Sequence, residues 1–163
     1  FEWTDGSWTQ KGSDIDGSLS SLNLGTRSII SSDGNSVAIS GVGGYGYNGR
    51  IYIYTWDGAR WSLDKEIVGN DVAGESRGER LGVSLDVDKS FNTIVSGSGY
   101  ASKNIYRGGA AKFFNNDGSL LGSIDGDVSE GRMGGDVAIN KNGSLAIIAA
   151  EDLVKVVTLN FDN

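Results

Sequence analysis

One unit of fifty-odd residues recurs three times along this 163-residue chain, and no other feature constrains the fold so tightly. An alternating aromatic or apolar stretch runs into Asp-Gly at Asp5-Gly6, Asp57-Gly58 and Asp117-Gly118. A second strand then ends in glycine, at Ile15-Asp16-Gly17, Ile67-Val68-Gly69 and Ile124-Asp125-Gly126. After a polar loop comes an apolar-Gly pair: Leu24-Gly25, Leu81-Gly82 and Met133-Gly134. Two strands joined by a turn close each unit, over 28–31 and 37–40, 83–87 and 93–96, and 136–140 and 145–149. Gly25, Gly82 and Gly134 stand 57 and 52 residues apart, and the turn centres Gly34, Phe91 and Gly143 keep the same two spacings. Two landmarks sharing one period point to duplication. Only the middle hairpin lacks a glycine at its turn centre.

Composition says how such a unit must turn. The chain holds 26 glycines and no proline, so its turns are built from Gly with Asp, Asn and Ser, which reach the left-handed backbone region at little cost. Short alternating strands joined this way form antiparallel meanders. A lone four-stranded meander has two faces and no partner for either. Stacking successive meanders face to face around an axis buries both, which is the logic of propeller blades. The expectation is therefore an all-β chain of three four-stranded blades, with approximate repeats 1–52, 53–112 and 113–163 in one segment. Roughly four to eight blades close a ring, so three make a partial propeller or a fragment of a larger one. Further blades in the same parent chain or a neighbouring chain are the expected partners. Phe1 is no initiator methionine, and a processed chain or a piece of a longer one is expected. A stacked solenoid and a sandwich are the structural alternatives.

Charge and residue inventory narrow the function. A formal charge of −7, with 14 scattered Lys and Arg, argues against nucleic acid, since neutralising phosphates takes clustered cations. No apolar run reaches the length of a membrane-spanning helix, so membrane insertion is not expected. With no cysteine and no histidine, thiolate chemistry, Cys/His zinc sites and every histidine-based catalytic device are excluded. An enzyme would have to work with carboxylate pairs, as glycosidases do, or with Ser-Lys or Tyr chemistry. Most Asp residues here precede Gly in turns, where the backbone itself calls for them.

The ordered series resembles a known family. Aromatic-x-Trp-Asp-Gly, then Ile-Asp-Gly, Leu-Gly, Ser-x-Asp-Gly-x-x-x-Ala-Ile-Ser-Gly and Gly-Arg-Ile-Tyr-Ile-Tyr are similar to FG-GAP repeats, the blades of the integrin α-subunit propeller and of microbial and algal surface proteins. The likeness covers 1–163. Leu24-Gly25, Leu81-Gly82 and Met133-Gly134 occupy the Phe-Gly position, while Ser40-Gly41-Val42, Ser96-Gly97-Ser98 and Ala149-Ala150-Glu151 stand where Gly-Ala-Pro is the rule. The resemblance implies a seven-bladed propeller when complete, an extracellular or cell-surface location, and adhesion or ligand binding. It also implies Ca²⁺ in an Asp-x-Asp-x-Asp-Gly loop, for which Asp14 and Asp16 are the nearest residues. Val68 stands at the Asp16 position of the second copy, so the repeat requires no cofactor there.

The remaining candidates lie in loops. Tyr45 and Tyr47, in the glycine-rich stretch 41–49, and Tyr100 and Tyr106, in the corresponding stretch of the next copy, offer contact area for a protein or glycan ligand, or pack on a neighbouring blade. The glycine stretch precedes a strand and carries no Walker lysine, so it is not a phosphate loop. Trp3, Trp8, Trp56 and Trp61 are expected to pair across hairpins, and Asn142-Gly143-Ser144 is a sequon set in a turn. The leading expectation is a non-catalytic extracellular binding or adhesion module. A structural building block of an extracellular assembly or filament is the alternative, and a carboxylate-based glycan-active enzyme comes third.

Overall fold

The computed structural model describes residues 1–17, 22–43, 48–70, 72, 78–101 and 105–160, and every regular element in them is a β-strand. The first hairpin pairs β1 (Glu2–Thr4) with β2 (Ser7–Thr9). Next come two four-stranded antiparallel meanders. One holds β3 (Leu24–Ile30), β4 (Ser36–Gly41), β5 (Arg50–Trp56) and β6 (Trp61–Val68); the other holds β7 (Leu81–Val87), β8 (Thr93–Ser98), β9 (Ala110–Asn115) and β10 (Leu120–Asp125). A third meander has three strands, β11 (Asp136–Ile139), β12 (Leu145–Ala149) and β13 (Val154–Thr158). Strand order within each sheet follows chain order.

Two features differ from the simplest reading of the repeat. Not three but two meanders have four strands among the described residues, because β13 has no strand beyond it and the β1–β2 hairpin pairs with itself alone. The bonded sheets run 24–68, 81–125 and 136–158, so they straddle the repeat boundaries at 52 and 112. The cause lies in the apolar-Gly pairs: Leu24-Gly25 and Leu81-Gly82 open strands β3 and β7 instead of preceding them, each followed by a bulge in the register.

The same dipeptides explain how meanders stack. Asn48 O accepts from Leu81 N–H at 2.8 Å, and Gly108 O accepts from Met133 N–H at 2.8 Å, so each apolar-Gly pair is bonded to the end of the preceding sheet. Ser40 Oγ donates to Gly82 O, and Ser84 Oγ donates to Gly134 O, both at 2.7 Å and both buried. A Cβ on Gly82 would lie 2.6 Å from the Ser40 Cβ, and its φ of +97° is one that side chains rarely adopt. Glycine at this position is a condition of close stacking.

Apolar cores fill both seams. Ala38, Ile51 and Ile53 of the first meander meet Leu81, Leu85 and Ile94 of the second. Val95, Ala111 and Phe113 of the second meet Met133, Val137 and Ile148 of the third. Burying one such side chain stabilises by about 1.5–3 kcal/mol, so the seams and not the hairpins supply most of the stability. The tryptophans pair as expected, Trp3 with Trp8 at 5.3 Å and Trp56 with Trp61 at 5.4 Å between ring centroids. Lys11 sits over the second pair, 5.1 Å from the Trp56 ring, and its backbone carbonyl accepts the Trp61 indole N–H at 2.9 Å.

Candidate functional site

Successive strands run in opposite directions, so the connections fall into two sets at two ends. At one end lie the tight turns around Asp33, Asp57, Asp88, Asp117 and Asn142. At the other lie the longer connections, and backbone bonds tie them into one surface. Glu79 O accepts from Tyr100 N–H, Tyr106 O accepts from Glu130 N–H, and Gly131 O accepts from Glu151 N–H, at 3.0–3.1 Å, 2.9 Å and 3.0 Å respectively.

The side-chain cluster on this second end is built around Tyr100. The Arg80 guanidinium lies 4.7 Å from the Tyr100 ring, and that of Arg107 lies 5.0 Å from it. Arg107 also covers Tyr106, at 4.8 Å. Each such contact is worth about 0.5–1 kcal/mol where solvent reaches it. Tyr106 is 47% exposed, and Tyr100, Arg80 and Arg107 are half-buried. Nε of Arg107 is buried with no hydrogen-bond partner among the described residues. Both arginines hold positive φ, +57° for Arg80 and +49° for Arg107. Backbone of that kind in a residue other than glycine costs roughly 1–3 kcal/mol, and such positions gather at binding sites.

Beneath the cluster Glu79 receives the Lys112 ammonium from β9, and this fixes the segment that leads into Arg80. Beside it opens a cleft of 170 Å³ floored by Met133, flanked by Val128 and Leu153, and rimmed by Asp127 and Glu151. Chemically the end offers planar cationic forks and tyrosine rings, which hold carboxylate or sulfate groups and the faces of sugars or peptide side chains.

Of the sequence candidates, Tyr100 and Tyr106 are brought together, joined through Arg107. Tyr45 and Tyr47 lie outside the described residues. Asp14 and Asp16 are exposed, and Asp14 Oδ1 already accepts a hydrogen bond from Gln10 Nε2 at 2.7 Å. No cluster of three acidic side chains forms among the described residues. Ca²⁺ takes six to eight oxygens, and this pair of carboxylates falls well short of that set. The sequon asparagine, Asn142, is used by the fold: its Oδ1 accepts the Ser144 hydroxyl at 2.7 Å.

Sequence reasoning passed over Arg80 and Arg107. A signal was there: arginine precedes the apolar-Gly pair in two copies, Arg80-Leu81-Gly82 and Arg132-Met133-Gly134, and Arg132 shares the positive φ, at +49°. The aspartates with displaced titration stand at the other end. Hydrogen bonds hold Asp33, Asp57 and Asp117 below the usual carboxylate range, the largest from Ser31 Oγ, Ala59 N–H and Ser119 N–H respectively. They cap turns.

No family model and no curated protein matches the chain. Solved structures do. A putative 6-phosphogluconolactonase from Bacteroides fragilis is similar with a TM-score of 0.55 at 13% identity, over 82% of this chain and 34% of that one. A functionally unknown protein from Desulfotomaculum acetoxidans gives 0.59 at 10% identity, over 90% and 39%. The β-propeller domain of Cps50 (Swd1) from Myceliophteria thermophila gives 0.53 at 12% identity, over 90% and 41%. The chain thus spans between a third and about two fifths of the length of each. At these identities the likeness carries the fold alone: the three meanders are β-propeller blades.

Proposed function

We propose that this chain is a non-catalytic binding module of FG-GAP type, at the cell surface or outside the cell, which takes a protein or glycan ligand on the end carrying the long connections. The observation that carries the reading is the Tyr100–Arg107–Tyr106 stack, with an exposed tyrosine and a buried Nε that has no partner among the described residues. Aromatic rings presented beside arginine give large contact area at low conformational cost. The guanidinium adds recognition of an anionic group on the ligand. Support for a non-catalytic role comes from the residue inventory, which has no His or Cys, and from the turn aspartates, whose oxygens are already engaged by backbone N–H groups.

Binding to an immobilised panel of neutral and acidic glycans and of polypeptides, with and without Ca²⁺, tests the reading. The Tyr106→Ala and Arg107→Ala variants should lose at least tenfold in affinity for whichever class binds. Their circular dichroism should stay that of the parent. Equal binding by parent and both variants would remove this end as the site.

A further inference from the structure

The forward face of each blade can be compared position by position, because the registers match. Four residues after the turn centres Gly34, Phe91 and Gly143 stand Ala38, Val95 and Ile147, and their cross-strand partners are Ile53, Phe113 and Val156. In the first blade Ala38 and Ile53 are 0% and 4% exposed; in the second Val95 and Phe113 are 0% and 2% exposed. In the third, Ile147 and Val156 are 47% and 68% exposed. Two blades have this face sealed by the blade that follows. The third has the same apolar residues and nothing on them among the described residues.

The edge of that blade is open as well. β5 pairs outward with β6, setting Ile51 opposite Ile67, Tyr52 opposite Glu66 and Ile53 opposite Lys65. β13 is the counterpart of β5, since Val154 faces Ala149 as Ile51 faces Ser40, yet no strand flanks its outer side. A matching strand exists elsewhere in the molecule. Asp5-Gly6 leads to Ile15-Asp16-Gly17 at the spacing by which Asp57-Gly58 leads to Ile67-Val68-Gly69, so segment 11–16 corresponds to the second half of β6. It belongs to no sheet here, because β1 is too short to pair with it. Laid on β13 in the β5–β6 register, Ile15 falls opposite Val154, Asp14 opposite Lys155 and Ser13 opposite Val156. Lys155 and Asp14 then stand as an opposite-charge cross-strand pair.

We propose that two copies of this chain join head to tail, β13 of each pairing with segment 11–16 of the other, so that both third blades gain their outer strand. The forward face of each third blade then meets the rear face of the other copy's first blade, where Ile30 is 61% exposed while Val87, its counterpart one blade on, packs against the core. Three blades from each copy close a ring of six, within the roughly four to eight blades that rings of this kind hold. The contact is heterologous and the rotation closes it. Its partner is a second copy because the complementary strand, charge and register are all in this chain. It stands independently of the ligand reading, for a dimer without a ligand and a ligand-binding monomer are distinguishable results.

Sedimentation velocity over a concentration series reads the outcome. The parent chain should run at twice its 17.1 kDa mass. Val156→Glu, at a position solvent already reaches in the single chain, should give a folded monomer by circular dichroism. Lys155→Asp should weaken the dimer at least tenfold, and combining it with Asp14→Lys should restore it. A parent that stays monomeric at every concentration overturns the proposal and assigns the face to some other blade. So does a dimer indifferent to Val156→Glu, or growth into open polymers.

Discussion

Lys112 Nζ donates to both carboxylate oxygens of Glu79, at 2.7 and 2.6 Å, with both residues buried. Lys112 lies on β9 of the second blade, and Glu79 lies on the connection from β6 to β7, so the pair fastens that connection to the sheet it enters. Glu79 Oε1 also accepts the Asn70 N–H at 2.9 Å, which closes the loop at its base. Two charges out of water are costly, and their geometry has to offset that cost.

Removing one partner should therefore hurt more than removing both. Lys112→Met leaves a buried carboxylate facing apolar carbon and should lower unfolding free energy by about 3–5 kcal/mol. Combining it with Glu79→Gln keeps an acceptor for Asn70 N–H and removes the stranded charge, and should recover more than half of the loss. Urea unfolding of the two single variants and the double variant measures this coupling. Additive losses would mean that the two residues act separately.

A second prediction separates glycines that share a backbone conformation. Gly6 and Gly109 both have positive φ, +82° and +75°, but a Cβ on Gly6 meets nothing within 4 Å, whereas one on Gly109 would overlap the Met133 carbonyl oxygen. Gly6→Ala should cost roughly 1 kcal/mol, the left-handed penalty alone. Gly109→Ala forces the second and third blades apart and should cost several times as much. Thermal unfolding of both variants decides it, and equal shifts would show that conformation, not close approach, selects glycine at Gly109.

Why some of this was legible in sequence and some was not follows from range. Asp-Gly turns, alternating strands and paired tryptophans are local, and the structure places them where the repeat puts them. Blade phase was harder, because Leu81-Gly82 reads as a loop feature until the Ser40–Gly82 bond across the seam shows that it opens a strand. Nothing in a sequence joins Glu79 to Lys112, 33 residues on, since the pairing depends on how a long connection folds back. Tyr100 and Tyr106 were found by their loop, but the arginines between and beside them were not. Their role follows from two connections meeting at one end.

Acid should act on the turn aspartates first. Asp33, Asp57 and Asp117 all titrate below their ordinary value because hydrogen bonds favour the charged form. A carboxyl held low in the folded state contributes stability above its unfolded value of 3.8, and that contribution is lost as pH falls through the folded value. The chain should keep a flat melting temperature near neutrality and lose stability below pH 3.8. The third blade already uses Asn142 in this role, its Oδ1 accepting the Ser144 N–H at 3.2 Å as Asp33 Oδ1 accepts the Asn35 N–H at 3.0 Å. Replacing Asp33, Asp57 and Asp117 together by Asn should leave the neutral melting temperature within a few degrees and flatten the acid limb. An acid limb as steep as the parent's would trace acid unfolding to other carboxylates.

Phe91 sets two effects against each other. It occupies the turn centre where the other two blades carry Gly34 and Gly143, and it holds a φ of +60° to do so. Strain alone says that Phe91→Gly should stabilise, by roughly 1–2 kcal/mol. Yet the ring is buried in the seam between the first two blades, with Leu85, Ile94 and Phe114. Truncating a buried phenylalanine costs roughly 3–5 kcal/mol, so burial wins and the net change is a loss of about 2 kcal/mol. The turn itself would survive, because Asp88 Oδ1 accepts the Asn92 N–H at 2.8 Å and Oδ2 accepts the Ser90 hydroxyl at 2.9 Å, neither of which needs the ring. Asp88 replaces the missing glycine as the organiser of this hairpin. Equilibrium unfolding of Phe91→Gly beside Asp88→Ala tests both halves of the argument. If Phe91→Gly is more stable than the parent, strain at the turn outweighs the packing of the seam.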